Sequence, residues 1–181
     1  PHQYYTPWKV VLDGDNLFIA GTDGTIRKID KNSGKETSKF SLPGWPQSMA
    51  VDQDIVYVGI QIVENEHVVG GKILALDKST GNNLWSIDED PYSQPIIMGG
   101  NCIYSGVEYS DLVKLNKSNG QEIWRFKEHK HPISAIVVDG EYIYTGSSDG
   151  TIRKVDSKTG KGVLGFSEVF RSQSIHSMAL D

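Results

Sequence analysis

The chain has 181 residues, enough to bury a core, with 38% hydrophobic residues and a formal net charge of −5 made of scattered charges. That balance excludes a basic nucleic-acid footprint, no apolar run of about 18 residues exists to form a membrane-spanning helix, and the lone Cys102 excludes an intrachain disulfide. The many Gly, Val, Ile, Tyr and Thr in short runs predict an all-β chain.

Residues 1–7 read as a lead-in, followed by predicted strands at 8–12, 16–20, 25–30 and 36–40. The hexapeptide Asp23-Gly24-Thr25-Ile26-Arg27-Lys28 joins the second of these to the third, and it returns as Asp149-Gly150-Thr151-Ile152-Arg153-Lys154. Asp-Gly between alternating runs predicts a tight primed hairpin turn. A second unit follows at 48–51, 55–60, 72–77 and 83–87, its middle hairpin lengthened by an insertion at 63–70 that extends both strands. The third unit is 95–98, 102–107, 112–116 and 122–126; the fourth is 133–138, 142–146, 151–156 and 162–166. Residues 175–181 resemble Gln47 to Asp52, the innermost strand of the second unit, and predict the start of a fifth.

Gly34, Gly81, Gly120 and Gly160 recur at a period near 40, the longest interval falling at the insertion. Four short strands per unit at that period predict a β-propeller of four complete blades at about 8–40, 48–87, 95–126 and 133–166 plus an extra inner strand, a partial or self-completed ring. No Pro- or Ser-rich linker interrupts it, so 1–181 reads as one domain. The start at Pro1, without Met or a leader, reads as a processed or trimmed terminus.

The copies Gly71-Lys72-Ile73-Leu74-Ala75-Leu76-Asp77-Lys78-Ser79-Thr80-Gly81-Asn82-Asn83-Leu84-Trp85 and Leu112 to Trp124 resemble the pyrroloquinoline-quinone-like (PQQ-like) propeller repeat. The resemblance implies that Trp85 and Trp124 dock each blade on the next. Ser38 and Leu164 stand where the first and fourth units would carry Trp, which predicts weaker contacts there. For catalytic members it implies a quinone on the axis with calcium, acidic ligands and a disulfide between adjacent cysteines, which one cysteine cannot form. The chain is more similar to non-catalytic members, such as the outer-membrane assembly lipoprotein and surface or sensor propellers. These imply a scaffold or binding module outside the cytoplasm, in the periplasm or at the cell surface, without a cofactor. A WD-type propeller is the rival, but its Gly-His and Trp-Asp dipeptides do not recur.

Other chemistry has weak support. His129-Lys130-His131 puts two imidazoles near Pro132 without a third ligand nearby, and reads as a solvated loop. Asp13-Gly14-Asp15-Asn16 lacks the distal Glu of a calcium loop, Asn116-Lys117-Ser118 fits a glycosylation acceptor, and Cys102 reads as a buried, inert thiol. What remains is a surface. The four connections from outer to inner strands carry Trp45, Tyr92, His129 with His131, and Phe170 with Arg171. On one face of a propeller these rings either anchor a partner or plug the space between blades. The expected partner is a protein, a second copy of the chain or a glycan, not nucleic acid, and no membrane insertion is expected.

Overall fold

The computed structural model describes residues 6–89, 95–107, 109–169 and 174–179. They form four four-stranded antiparallel sheets, each a meander in chain order and each a propeller blade. No helix occurs among the described residues. Two compact units divide the chain, Pro1–Pro91 and Tyr92–Asp181.

In the first unit, blade 1 comprises β1 (Pro7–Asp13), β2 (Asn16–Gly21), β3 (Thr25–Asp30) and β4 (Glu36–Ser41). Blade 2 comprises β5 (Trp45–Val51), β6 (Ile55–Glu64), β7 (His67–Asp77) and β8 (Asn83–Glu89). Strand alternation turns one face of blade 1 toward blade 2, and Phe18, Ile26 and Phe40 close on Met49, Val58, Ile60 and Leu74 to form the core of the unit. Fully burying each such side chain contributes about 1.5–3 kcal/mol.

In the second unit, blade 3 comprises β9 (Ile96–Gly99), β10 (Cys102–Val107), β11 (Asp111–Asn116) and β12 (Glu122–Phe126). Blade 4 comprises β13 (Ile133–Asp139), β14 (Tyr142–Ser147), β15 (Thr151–Asp156) and β16 (Gly162–Val169). Tyr104, Leu112 and Phe126 of blade 3 pack with Ile133, Ile136, Ile143 and Val155 of blade 4.

The turn into each outer strand is held by one side chain. Asp77 Oδ1 accepts the N–H groups of Ser79 and Thr80 at 3.0 and 2.7 Å and the Thr80 hydroxyl at 2.8 Å. Gly81 then donates its N–H to the Asp77 carbonyl at 2.8 Å. Asp30 repeats this with Ser33, Asp156 with Thr159 and Asn116 with Ser118. Asn116 is therefore committed to its turn, which competes with its use as a glycosylation acceptor.

The turn glycine also receives the previous blade. Gly81 has φ +75° and a Cβ there would lie 2.7 Å from Phe40 Cγ; Gly160 has φ +70° and a Cβ would lie 2.6 Å from Trp124 Cδ2. Trp124 additionally donates its indole N–H to the Ser157 carbonyl at 3.2 Å. Blade 1 lacks Trp at Ser38, yet Phe40, two residues later on the same strand, fills the corresponding place on Gly81. The first unit thus docks by the ring that stands where blade 3 carries Phe126 in addition to Trp124.

Three local expectations change. The Asp23-Gly24 turn is a three-residue loop, Thr22-Asp23-Gly24, with Gly21 paired to Thr25 and only Gly24 at positive φ. It is a type I turn closed by a left-handed residue, not a two-residue primed turn. The primed geometry appears instead at the tip of the inserted hairpin, where Asn65 (φ 48°) and Glu66 (φ 66°) join a lengthened β6 and β7. Finally, residues 174–179 carry no strand. Ile175 donates its N–H to the Ser147 carbonyl at 3.2 Å, and Ile175 and Met178 lie against Gly146. The segment thus rests on β14 as β5 rests on β2 and β13 on β10, but without blade partners of its own.

Candidate functional site

Three of the four inner strands, β1, β5 and β13, begin with the same irregularity. The register slips between Pro7 and Lys9, between Pro46 and Ser48, and between Ile133 and Ala135, so Trp8, Gln47 and Ser134 are bulged residues. A bulge bends the strand and re-aims one side chain. In blade 4 the result is modest, the Ser134 hydroxyl donating to the Gly146 carbonyl at 3.3 Å and meeting the Ile175 carbonyl closely.

In the first unit the bulged residues build a cavity of about 340 Å³ lined by Trp8, Thr22, Trp45, Pro46, Gln47 and Gln61, within the size range of small-molecule sites. Trp8 is 58% exposed and Trp45 45% exposed. The Trp8 indole is nevertheless tied down, and the backbone carrying Trp45 is constrained. Trp8 donates its indole N–H to the Gln47 carbonyl at 3.3 Å, and its strand continues through Thr6, whose N–H donates to the Thr22 hydroxyl at 3.1 Å. Trp45 follows Gly44, where any Cβ would strike the Gln61 carbonyl, so only glycine lets this backbone approach β6 so closely. The Gln47 amide donates to Gln61 Oε1 at 3.1 Å. Among the described residues, no ionisable side chain lines the cavity.

The loop before blade 4 is built differently. His129 is buried, which corrects the solvated-loop expectation for the His129-Lys130-His131 run. Its Nε2 lies 2.7 Å from the Thr145 hydroxyl, its Nδ1 2.9 Å from the Thr151 hydroxyl and 3.6 Å from Asp149, and its ring meets Phe126 edge-on at 6.2 Å. Burial pushes its pKa below the usual value, opposed by the Asp149 carboxylate. Burial would raise Asp149, but the N–H of Lys130, the hydroxyl and N–H of Thr151 and the neighbouring imidazole outweigh it and hold the carboxyl at about 2. Two saturated hydroxyl contacts make His129 a plug inside the blade. It is removed from the binding-face set, because the threonines satisfy inside the protein the polar ring atoms that a loop would present to water.

His131, two residues on, is exposed and lies 6.3 Å from the Tyr109 ring; the two imidazoles occupy different environments and do not converge. Trp85 is half-buried, 5.9 Å from Tyr57, and Trp124 is 5.8 Å from Tyr104 with Lys114 Nζ near both rings. Cys102 is half-buried rather than buried, at the start of β10 beside the turn. Tyr92, Phe170 and Arg171 lie outside the described residues. Of the sequence-chosen rings, the structure joins Trp45 to an aromatic that sequence reading missed, Trp8. The signal was available: when the units are aligned on their inner strands, Trp8 stands where the others carry Gln47, Ser134 and His176.

Comparison with known proteins agrees with this architecture. The chain aligns over nearly all of its length, 95%, with 52% of the computationally designed Ika8 protein at TM-score 0.78 and 19% identity. It aligns over 86% of its length with 93% of the designed Ika4 protein at TM-score 0.73 and 16% identity. By sequence it is 26% identical over 136 residues to the quinoprotein alcohol dehydrogenase PedH of Pseudomonas putida, covering 65% of this chain but only 22% of that enzyme. The family model described as outer membrane protein assembly factor BamB matches residues 6–104 and 69–163. With its four-stranded blades and repeated Asp/Asn-Lys-x-x-Gly turns, the chain belongs to that family of PQQ-like repeat proteins.

Proposed function

We propose that the chain is a non-catalytic propeller module, working outside the cytoplasm, that presents one blade edge to a binding partner. The observation that carries this reading is the pair of exposed indoles, Trp8 and Trp45, around a cavity that no ionisable side chain lines among the described residues. Aromatic anchors of this kind dominate binding surfaces, and among the described lining residues none is a titratable general acid or base that could activate the Thr22 hydroxyl. The quinone and calcium of catalytic relatives do not fit the donors either. Among the described residues no three His, Cys, Asp or Glu side chains gather for a metal ion, and the chain's one cysteine cannot supply a disulfide. Membership of the BamB-described family supports a protein partner and an extracytoplasmic setting.

The test is a photo-crosslinking residue at Trp45, with a second at the equally exposed Ile123 of β12 as a control, in extract of the source cells. A discrete adduct from position 45 alone, lost with Trp8→Ala, is the expected result. Saturable alcohol oxidation by the chain with added quinone and calcium would overturn the non-catalytic reading.

A second reading, self-assembly, is favoured by Val10 and Leu12, which alternate on β1 and are 52% and 62% exposed. In blades 2 and 4 the inner strand rests on the preceding blade of its unit. Light scattering of the purified chain tests it: a discrete dimer disrupted by Leu12→Lys supports it, and a strict monomer at high concentration removes it.

A further inference from the structure

The chemistry of the Trp8–Trp45 cavity singles out a ligand class, an inference that rests on the binding-module reading above. We infer that this cavity binds a neutral glycan, one sugar ring lying against the indoles with its hydroxyls on the Gln47 and Gln61 amides. Three features converge on it. First, the walls are flat and apolar, Trp8, Trp45 and Pro46, whereas the rim is amide and hydroxyl, Gln47, Gln61 and Thr22. A pyranose has the matching division, an apolar C–H face and a polar edge, and aromatic side chains supply large rigid contact area to such a surface.

Second, the lining carries no charge of either sign among the described residues, so an anionic or cationic ligand would lose its hydration without a counter-charge. Third, the amides are held in place before any ligand arrives. Gln47 Nε2 donates to Gln61 Oε1, which fixes both planes and leaves the Gln61 NH2 pointing its donors elsewhere. Primary amides offer donor and acceptor together, as a hydroxyl-rich ligand requires. An apolar protein side chain would use the indoles alone and leave these amides dehydrated.

The bulge explains how a repeat acquired such a site. Trp8 and Gln47 are the same bulged position in successive blades. Residues there are excused from strand pairing and free to vary, so the blades can differ at this point without loss of the sheet.

The experiment is titration of the purified chain with maltotriose, cellotriose and chitotriose, read by tryptophan fluorescence and calorimetry. Saturable one-site binding of at least one of them is expected, unchanged between low and high salt because no ion pair forms. Trp8→Ala and Trp45→Ala should each weaken it about tenfold or more, and Gln61→Ala by a smaller factor. Leu84→Ala, at an exposed residue of β8 remote from the cavity lining, should leave it unchanged. Both indoles are half exposed, so these truncations spare the core; Trp45→Phe, which keeps a ring, should retain part of the affinity. The inference is overturned by no saturable binding, by binding indifferent to both Trp variants, by salt-sensitive preference for an anionic glycan, or by preference for an apolar peptide. If glycan binding fails but the position-45 adduct persists, only the ligand class is wrong. Loss of both removes the binding-face reading as well.

Discussion

Gly34 and Gly81 offer a controlled measurement of what blade docking contributes. Both sit at the same position of the Asp-x-x-x-Gly turn in one unit, with φ +68° and +75°, but nothing lies within 4 Å of a Cβ at Gly34 whereas Phe40 blocks one at Gly81. Gly34→Ala therefore reports the backbone alone. A left-handed non-glycine residue costs about 1–2 kcal/mol, offset by about 0.4–1 kcal/mol from the less flexible unfolded chain. The net destabilisation is about 1 kcal/mol, or a Tm lower by about 2–4 °C at this chain length. Gly81→Ala carries that same change plus the displacement of Phe40, an overpacking worth about 1–3 kcal/mol, and should lower Tm at least twice as far. Phe40→Ala alone removes a 6%-exposed ring and costs about 3–5 kcal/mol. In the Phe40→Ala background the ring contacts are gone and only the position-40 Cβ, 3.0 Å away, remains, so the excess of Gly81→Ala over Gly34→Ala should shrink markedly, a coupling of about 1–3 kcal/mol between positions 40 and 81. The assay is denaturant unfolding of the single and double variants. Equal losses at Gly34 and Gly81, or an excess undiminished by Phe40→Ala, would refute the docking account.

Other outcomes are open to the same instruments. Trp124→Ala should destabilise the second unit by about 3–5 kcal/mol, since it loses the Gly160 packing and the bond to Ser157 together. Glu66→Gly should stabilise by about 0.5–1 kcal/mol, as φ 66° at the second residue of a primed turn suits glycine. Stability should fall as pH drops below about 6.5, because unfolded His129 takes up a proton that the buried ring, with its lowered pKa, resists. His129→Gln should flatten that limb of a Tm-against-pH curve. A second loss, about 2 kcal/mol in size, should appear between pH 3.8 and about 2 as folded Asp149 finally protonates, and Asp149→Asn should remove it.

The repeats made the blades legible because each unit carries its own punctuation: alternation for the strands, Asp or Asn and Gly for the turn, an aromatic after it. What escaped was contact across blades. That Phe40 does the work of the missing Trp at position 38 depends on where Gly81 lies in three dimensions, and no spacing within one unit encodes it. His129 escaped for a similar reason: Pro132 and two flanking lysines and a glutamate suggest solvent, but Thr145 and Thr151, from two other strands, convert the loop into a lined socket. Trp8 was hidden by its bulge, since a strict period of two gives it no special direction, and only the slipped pairing at Pro7 and Lys9 turns it toward Trp45.

The docking contact has a sense of direction. In both units where it is described, the ring belongs to the earlier blade and the glycine to the later one, Phe40 to Gly81 and Trp124 to Gly160. The joint thus sets a plug on one blade against a socket on the next, and two like sides cannot engage. Any contact between separate molecules that reuses this joint must run head to tail, so two copies can pair through it only by closing a ring that uses the joint twice, and a contact that does not close grows as an open filament. A variant that exposes a fresh plug, by losing its own socket partner, would accordingly seek a socket on another molecule and not a second plug.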